Sequence, residues 1–580
     1  MKHKFNHLIN LNQIFPMKKL LKVFLLLMLF LIGTSGIYAQ KRVTGTVLDK
    51  NQKPVAGANV VVTGTTQGTM ADDVGKYTLE VPPGSKSLTF SFIGMEPQEI
   101  KIGSLTQIDV TMVESAVGLG EVVVIGYGTQ KKTSVTASVS SIKGIDIVAQ
   151  PVSNLNNNIV GRVAGVISTQ ASGEPGQDAS TILIRGIGTL GNKAPLTIVD
   201  GVPRDYSALD PNSIASISIL KDAAAVAPYG MGGANGVILI TTKKGISGEP
   251  TLSYDTYVGF QNPTVLTKFV NAYQYATLFN AADDNAGAPH AYSDYALQKY
   301  QDHSSPDLYH DHNVLKELIT PNALITNHNL TISGGSEKIR YYAGLNYFYQ
   351  SGMWGPTNYK RYNLTANIDA DATKTTKVNL SVNGRVEDRE YPAVSAGSIF
   401  YQAFRTPPNA PLTFSNGLPG SYIGRSAAGN IFGSGNTNTI GYTMLTQFSI
   451  EQQLPFIKGL STKGAVSYDF NPFNPNDPTN PSAAITTFNR TWNTPILFYR
   501  YDSASNKYPL AGNDGPAKPG YSESYIQSQA FTYQFYLNYH RTFGNHDFTG
   551  LVVLESRNTK SSVFGAKRVN YNINIPELNN

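Results

Sequence analysis

The sequence contains no cysteine. Disulfide frameworks, zinc sites built on thiolates, thiol catalysis and a lipidated N-terminal cysteine are therefore excluded. Charged residues are also scarce, at 15% of the chain, whereas an average soluble protein has roughly 25%. The net charge of +6 is small for 580 residues, and the basic residues are scattered rather than gathered in a stripe. We therefore predict no nucleic-acid partner.

Long apolar runs are missing as well, except near the N-terminus. A basic run over residues 18–22 precedes an apolar run over residues 23–32, and small residues follow. The apolar run is too short to cross a bilayer of about 30 Å as a helix. Basic, apolar and small-residue parts in this order indicate a secretory signal peptide, which we place at residues 1–39 with Met1 or Met17 as the start. An uncleaved membrane anchor is the alternative.

Tyrosine and glycine are abundant, with 33 and 53 copies. This composition favours strands and turns over helices and predicts a mainly β protein. The first predicted domain, residues 41–114, is a small β-sandwich, because short strands alternate with turn signals at 43–49, 58–62, 77–81 and 87–93. Asp72 and Asp73 lie between two of these strands without the pattern of a calcium loop, so we interpret them as turn residues.

Residues 115–134 form a predicted linker that contains the stretch EVVVIGYGTQ. The four β-branched residues Val122–Ile125 predict a short strand, which Gly126 and Gly128 limit. A free strand of this kind can pair with the edge of another protein through main-chain hydrogen bonds. The segment is therefore either a handle for a partner protein or the first strand of the next domain.

The rest of the chain divides at about residue 250. Residues 135–245 mix predicted strands with a short helix capped by Asp222, which indicates a compact α+β domain. From residue 250 the strands lengthen to roughly ten residues, with one apolar and one polar face and tight turns on one side. A sheet survives in lipid only when its backbone groups pair internally, so we predict an antiparallel transmembrane β-barrel over residues 250–580. A large soluble sandwich or propeller is the alternative, although no fixed blade repeat is visible.

No motif demands an active site. The segment 186–191 matches G-x-G-x-x-G, but a predicted strand follows it where a nucleotide site needs a helix. His310 and His312 lack a partner carboxylate at helical spacing, so we interpret them as part of a polar surface loop rather than a metal site. The motifs H-E-x-x-H and G-x-S-x-G are missing. We therefore predict no enzyme activity, no cofactor and no metal.

Several segments together resemble the SusC-like (RagA-like) TonB-dependent outer-membrane transporters. The segments LTIVDGVP (196–203), LKDA (220–223) and GANGVILITTKKG (233–245) resemble the plug of that family. Residues 45–60 are similar to its carboxypeptidase-regulatory-like N-terminal extension, and HNLTISGG (328–335) resembles an early barrel strand. These motifs are highly specific in combination, and they cover the chain up to about residue 390.

The linker stretch resembles the TonB box of the same family. The resemblance implies that TonB, with its inner-membrane motor complex, binds Glu121, Val122, Val123, Val124 and Ile125. It implies import of a large nutrient, an oligosaccharide or a peptide, through the outer membrane of a Gram-negative bacterium. It also implies a SusD-like lipoprotein as partner.

The resemblance assigns the domains in order. They are a signal peptide (1–39), a carboxypeptidase-regulatory-like β-sandwich (41–114), a linker with the TonB box (115–134), an α+β plug (135–245) and the N-terminal part of an outer-membrane barrel (250–580). Barrels of this family have 22 strands, whereas about ten strands of typical length fit after residue 250. Residues 574–580 also lack a closing aromatic strand. We therefore expect a truncated fragment or half of a split reading frame, with two unpaired barrel edges.

Two other functions remain as alternatives. A surface adhesion or signalling receptor would bind without importing, and it would not depend on the proton gradient. A secreted peptidase, suggested by the first domain, has neither catalytic residues nor a metal motif to support it. The loop aromatics Tyr401, Phe404 and Trp492 are candidates for stacking on sugar rings, although tyrosine-rich loops are normal in such barrels.

Overall fold

The computed structural model describes residues 41–580 except 51, 64, 66, 93–94, 96, 114–121, 126–127, 132–138, 149–151, 208, 471–485, 545, 574–575 and 578–580. The predicted signal peptide and Glu121 therefore lie outside the described residues. The chain divides into two compact units, Met1–Glu121 and Val122–Asn580.

The first unit contains two small sheets around an apolar core. Its strands are β1 (Lys41–Asp49), β2 (Asn59–Val62), β3 (Gly68–Met70), β4 (Lys76–Val81), β5 (Ser87–Ser91), β6 (Gln98–Lys101) and β7 (Val110–Met112). One sheet has the order β4-β1-β7 and the other the order β3-β2-β5-β6. Alternate residues of β4 are buried, and they pack with Phe90 and Leu88 of β5 in one core. The Asp72 carboxylate accepts hydrogen bonds from the backbone N–H groups of Val74 (3.0 Å) and Lys76 (2.8 Å), which makes it a turn residue.

The second unit begins with a small α+β module, which we call the plug. Its strands are β8 (Val122–Ile125), β9 (Gly128–Lys131), β10 (Val139–Lys143), β11 (Val166–Gln170), β12 (Ser180–Ile184), β13 (Leu196–Val199), β14 (Val202–Pro203), β15 (Ile214–Leu220) and β16 (Val237–Thr242). Its helices are α1 (Gly144–Val148), α2 (Leu155–Ile159) and α3 (Ala223–Val226), with 3-10 turns at Pro211–Ser213 and Ala227–Gly233. The central sheet has the order β10-β15-β16-β13-β14, and β11 pairs with β12 beside it.

The helix predicted after Asp222 is present as α3, but the predicted cap is wrong. Asp222 occupies the N-cap position, yet its side chain makes no capping hydrogen bond. Its carboxylate instead forms an ion pair with Arg185. An arginine brought close by the fold competes with the backbone N–H groups for the same oxygen atoms, which local sequence does not reveal.

The remaining residues build a large antiparallel sheet, which we call the wall. Its strands are β17 (Gly248–Gln261), β18 (Ala323–Gly335), β19 (Ile339–Ser351), β20 (Asn358–Asp371), β21 (Thr376–Pro392), β22 (Gly435–Gln453), β23 (Leu460–Phe470), β24 (Thr486–Asn493), β27 (Gly520–Phe543) and β28 (His546–Val569). The strands pair in chain order, and β23 and β24 share the position between β22 and β27. Near the C-terminus, β27 and β28 form a long antiparallel hairpin.

The two ends of the wall differ in their connections. Short turns join β18 to β19, β20 to β21 and β22 to β23 at the end where β17 leaves the plug. The opposite end carries long loops, which contain the elements α4 (Ala272–Ala286), α5 (Asp294–Asp302), α6 (Val314–Leu318), α7 (Ala396–Arg405), α8 (Ala427–Phe432), β25 (Ile496–Tyr499) and β26 (Leu510–Asp514). Tight turns at one end agree with the predicted pattern of an outer-membrane barrel.

The two faces of the wall have the opposite polarity to those of a soluble protein: apolar side chains are exposed and polar side chains are buried. Its exposed face carries large apolar side chains, among them Leu345, Leu364, Ile368, Leu380, Phe448, Ile450 and Phe535. Its buried face carries amides and hydroxyls, among them Asn329, Asn346, Thr365, Asn367, Gln447 and Ser449. The predicted fold class, mainly β with a sandwich, an α+β plug and a partial antiparallel barrel, is confirmed. No helix in the described part of the chain has the length and apolar character needed to cross a membrane.

Candidate functional site

The predicted TonB-binding strand is already paired. In a two-stranded antiparallel sheet, β8 pairs with β9, with Val122 opposite Lys131 and Ile125 opposite Gly128. The strand β8 ends at Ile125, before the two glycines that were predicted to limit it, and Gly128 begins the second strand of the hairpin. Among the strands that the structure describes, only β9 pairs with β8. Glu121, the first residue of the predicted handle, lies outside the described residues.

The plug is attached to the wall mainly through polar groups. Arginine side chains of the wall donate hydrogen bonds to plug carbonyl oxygens: Arg361 to Ser153, Arg385 to Ser207 (2.5 Å) and Arg557 to Pro203 (2.6 Å). Side-chain amide and phenol groups of the wall donate further hydrogen bonds to plug carbonyl oxygens: Gln534 to Gly201 (2.9 Å), Asn367 to Lys243 (2.6 Å) and Tyr342 to Asn212 (3.2 Å). Among the described residues, one wall residue, Leu445, joins the main apolar cluster of the plug.

A buried ion pair connects the plug to the wall. The Arg204 side chain of the plug is 2% exposed and that of Asp469 on β23 is fully buried. Arg204 Nε donates to Asp469 Oδ2 at 2.9 Å, and Nη2 lies 2.8 Å from Oδ1. Nη2 also donates to the carbonyl oxygen of Thr446 on β22 at 2.5 Å. Two-point contact of this kind fixes geometry as well as charge.

A polar cavity of about 260 Å³ lies between plug and wall. The plug contributes Asp200, Thr242 and Lys244. The wall contributes residues of β19–β23, which include the charged side chains of Arg340, Asp369, Lys377, Glu451 and Lys463. Charges of both signs line the cavity, so it suits water and polar solutes rather than an apolar ligand.

The plug also buries carboxyl groups against the wall. Asp178 accepts a hydrogen bond from the Ser153 hydroxyl and lies close to wall arginines, while Asp210 accepts from the Asn212 backbone N–H at 3.1 Å. Burial raises the pKa of Asp178, and the Ser153 hydrogen bond and Arg361 partly oppose this. Burial likewise raises the pKa of Asp210, and Arg361 partly opposes it. These carboxyl groups therefore bind protons more readily than they would in water.

The long loops form a joined surface at the far end of the wall. The Asp307 carboxylate accepts hydrogen bonds from the Ser415 hydroxyl (2.5 Å) and the Tyr508 hydroxyl (2.6 Å), which connects three separate loops. His310 was predicted to lie in a surface loop, and this is wrong, because it is 7% exposed and its ring packs edge-on against Phe414. Burial lowers the pKa of His310 to about 4. No group of three or more possible metal ligands occurs in the described part of the chain.

The three loop aromatics singled out from the sequence separate into two classes. Tyr401 and Phe404 lie on α7 and are 63% and 52% exposed. Trp492 is 9% exposed and packs against Tyr521 and Tyr571, so it is not available for stacking on a ligand. The G-x-G-x-x-G segment continues into β13 without a helix, which agrees with a glycine-rich loop.

Sequence reasoning missed the plug–wall contacts. Arg204, Asp469 and the wall arginines did not belong to any recognised motif. A usable signal exists, since a charged residue on the polar face of an otherwise alternating strand, such as Asp469 in AVSYDF, requires a partner when it is buried.

Comparison with known proteins identifies the class. Residues 43–124 match the CarboxypepD_reg-like domain, and residues 131–237 match the TonB-dependent Receptor Plug Domain. TonB-dependent receptor P3 of Formosa agariphila is 35% identical over 408 residues, which cover 69% of this chain and 39% of that protein. The chain is therefore a homologue of TonB-dependent receptors, which are not enzymes and reside in the outer membrane of Gram-negative bacteria.

One further relative and one solved structure also resemble the chain. TonB-dependent receptor SusC of Bacteroides thetaiotaomicron is 31% identical over 416 residues, 70% of this chain and 39% of that protein. The RagAB peptide importer in its open-open state has the same fold, with a TM-score of 0.61 at 23% identity over 77% of this chain and 50% of that chain. The chain is a relative of the SusC type, as the sequence motifs predicted. It spans about 39% of the length of the curated relatives that it matches.

Proposed function

We propose that the chain takes part in TonB-dependent import of a large nutrient, an oligosaccharide or a peptide, across the outer membrane. The observation that carries this proposal is a plug domain attached to the polar face of a membrane wall by exchangeable polar contacts, with a short strand hairpin at its N-terminal end. TonB binds residues Glu121 to Ile125 in this proposal, and it transmits force from the inner membrane to the plug.

The domain assignment belongs to the same proposal. The signal peptide (1–39) directs export, and the extension (41–114), the linker (115–134) and the plug (135–245) precede the barrel part (250–580). A SusD-like lipoprotein covers the long-loop end, where Asp307, Ser415 and Tyr508 join the loops into one surface. Tyr401 and Phe404 are exposed there and supply flat apolar faces for a ligand.

Binding of TonB to β8 by strand addition depends on the backbone more than on the side chains. A proline in β8 removes a backbone donor and resists a paired conformation, whereas threonine keeps the β-branched shape and the donor. We therefore expect the double variant Val123→Pro with Val124→Pro to reduce uptake at least tenfold. The control variant Val123→Thr with Val124→Thr should leave uptake nearly unchanged. The measurement is uptake of labelled ligand by cells that produce the full chain, with surface binding recorded in parallel.

Surface binding is expected to persist in both variants. The hairpin lies at the N-terminal end of the plug and is not part of the long loops of the wall. Unchanged uptake in the proline variant contradicts the handle. Uptake that survives collapse of the proton gradient contradicts energised import, whereas surface binding without any uptake favours a receptor that binds without importing.

A further inference from the structure

The long loops of the wall contain a second cavity, which is open to solvent. Its volume is about 500 Å³, and ligand sites usually have volumes of about 300–1,000 Å³. The connections α6–β18, β19–β20 and α8–β22 line it, together with Thr494 directly after β24. We call this cavity the loop groove. Its size suits a ligand that is larger than a single ion or water molecule.

Contacts between the connections hold the loop groove in shape. The backbone N–H of Thr494 donates to the carbonyl oxygen of Ser434 at 3.0 Å, which ties the end of β24 to the start of β22. Gly355 has a φ of 49°, and a Cβ atom at this position would lie only 2.6 Å from Ile431 Cγ2. The β19–β20 connection therefore packs directly against the end of α8. A ligand that enters a groove held in this way has little loop ordering to offset.

The loop groove is polar but uncharged. Among the described residues that line it, none carries a charge, whereas charges of both signs line the cavity between plug and wall. The hydroxyl group of Thr320 and the side-chain amide of Asn436 lie at the groove, and neither makes a hydrogen bond to another described residue. Both groups are therefore available to a ligand that donates and accepts hydrogen bonds without a net charge.

Two buried hydroxyl groups beside the lining lack a partner. Ser434 is 2% exposed and stands between the lining residues Gly433 and Gly435, and Thr357 is 3% exposed and follows the lining residue Pro356. Neither hydroxyl oxygen has a hydrogen-bond partner in the described part of the chain. A buried polar group without a partner is unfavourable, so a ligand hydroxyl that reaches it adds binding free energy.

One aromatic ring stands at the rim of the loop groove. The helix α8 buries its residues from Ala427 to Ile431, and Phe432 at its end is 71% exposed and lines the groove. A sugar ring has an apolar C–H face and hydroxyl groups around its edge, so it can pack on Phe432 while its hydroxyls reach amide and hydroxyl groups nearby. A peptide with charged ends or side chains finds no opposite charge in this lining, and a purely apolar ligand leaves its polar groups unused.

We propose that the loop groove is a binding subsite for an uncharged oligosaccharide, with one sugar ring packed on Phe432 and its hydroxyls bound by Thr320 and Asn436. This rests on the proposed import function and selects the carbohydrate from its two candidate ligands. Phe432 was not among the aromatic residues singled out from the sequence, and Tyr401 and Phe404 on α7 are not part of the groove lining.

The first experiment tests the chemical class of the ligand. The full chain, purified in detergent, is titrated by isothermal calorimetry with four uncharged probes, maltohexaose, cellohexaose, xylohexaose and mannohexaose. Hexagalacturonate and hexa-alanine serve as an anionic sugar and a peptide of similar length. We expect at least one uncharged probe to bind and the other two to bind at least tenfold more weakly. No binding of any uncharged probe, or tighter binding of hexa-alanine or hexagalacturonate, overturns the proposal.

The second experiment places the probe in the loop groove. We expect Phe432→Ala to weaken binding of the tightest uncharged probe at least tenfold and Asn436→Ala to weaken it about fivefold. Phe456→Ala is the matched control, because Phe456 is 77% exposed but lies in the short connection between β22 and β23 at the other end of the wall. Its affinity should equal that of the parent. All three side chains are exposed, so their removal leaves the buried core intact.

Three results would contradict the subsite. They are unchanged affinity in Phe432→Ala, an equal loss in Phe456→Ala, and a loss in Phe404→Ala that Phe432→Ala does not share, which would move the ligand to α7. The titration needs neither TonB nor a proton gradient. A chain that binds the sugar in the groove without taking it up therefore contradicts import alone, and uptake with unchanged affinity in Phe432→Ala contradicts the subsite alone.

Discussion

The extension and the plug are both small β-rich units, yet opposite kinds of contact hold them in place. The extension packs Val43, Val60, Leu88 and Phe90 with other apolar side chains in a core of its own. The plug has an apolar core as well, but it meets the wall through arginine, amide and phenol groups. The extension is stabilised by its own apolar core, whereas the plug is also held in position by polar contacts with the wall.

The difference explains how one part can stay folded while another is displaced. Apolar side chains that leave a core find no equivalent partner in water, so an apolar core resists opening. A hydrogen bond to a carbonyl oxygen can be replaced by one to water, and its net contribution is only about 0.5–1.5 kcal/mol, or 1.5–3 kcal/mol with a charged donor. A plug bound in this way can separate from the wall stepwise without losing its own core.

Removing an aromatic side chain from the core of the extension should have the largest effect. Phe90 is fully buried, and its ring contacts Tyr77 at a centroid distance of 5.4 Å. Phe90→Ala should destabilise the extension by about 3–5 kcal/mol. Hydrogen exchange followed by mass spectrometry should show faster exchange over residues 41–113 and unchanged exchange over residues 152–243. Loss of protection in both regions would show that the two units do not fold independently.

Removing one wall arginine should have a smaller effect, confined to the plug. Arg361→Gln loses the charge-assisted hydrogen bond to the Ser153 carbonyl and should cost about 1.5–3 kcal/mol. Exchange should accelerate around α2 and leave the extension unchanged. Lys360→Gln is the control, because its side chain is 38% exposed on the other face of the same strand. Equal effects of the two substitutions would exclude a specific contact with the plug.

The smallest expected effect is a pH dependence of plug attachment. The folded pKa of Asp178 is raised by burial, so its neutral form is favoured in the folded protein. Its contribution is fully present below the unfolded pKa of about 3.9 and is lost as the pH rises through the folded pKa. Protease protection of the plug should therefore decrease slightly from pH 4 toward neutral pH.

Asp178→Asn should weaken the pH dependence of protease protection of the plug, because the titrating carboxyl group is gone. Protease protection of the extension should not change over the same pH range. In the extension, burial raises the pKa of Tyr77 further above neutral pH, so this group keeps one charge state throughout the range. An unchanged pH profile in Asp178→Asn would assign the effect to other groups.

The sequence predicted the elements far better than their partners. Alternation of apolar and polar residues after residue 250 predicted long strands with two different faces, and β20 and β21 are strands of this kind. The motifs of the plug predicted its family. In contrast, the cap at Asp222, the exposure of His310 and the availability of Trp492 were predicted wrongly. Each of these depends on a residue that is distant in the sequence, namely Arg185, Phe414 and Tyr521.

The candidate site divides in the same way. Val122–Ile125 was recognisable as a strand because β-branched residues determine local backbone preference. Its pairing with β9 and the contact of Arg204 with Asp469 were not recognisable, since pairing is decided by which segments the fold brings together. The second contact joins residues that are 265 positions apart.

The sequence by itself determined that the strands of residues 250–580 have one apolar and one polar face, because side chains alternate with a period of two along any strand. It determined the class of the protein through the plug motifs. Only the tertiary structure decided which polar side chains meet the plug and which remain near solvent. The reason is physical: a charge needs a partner only once it is buried, and burial exists only after distant strands have assembled.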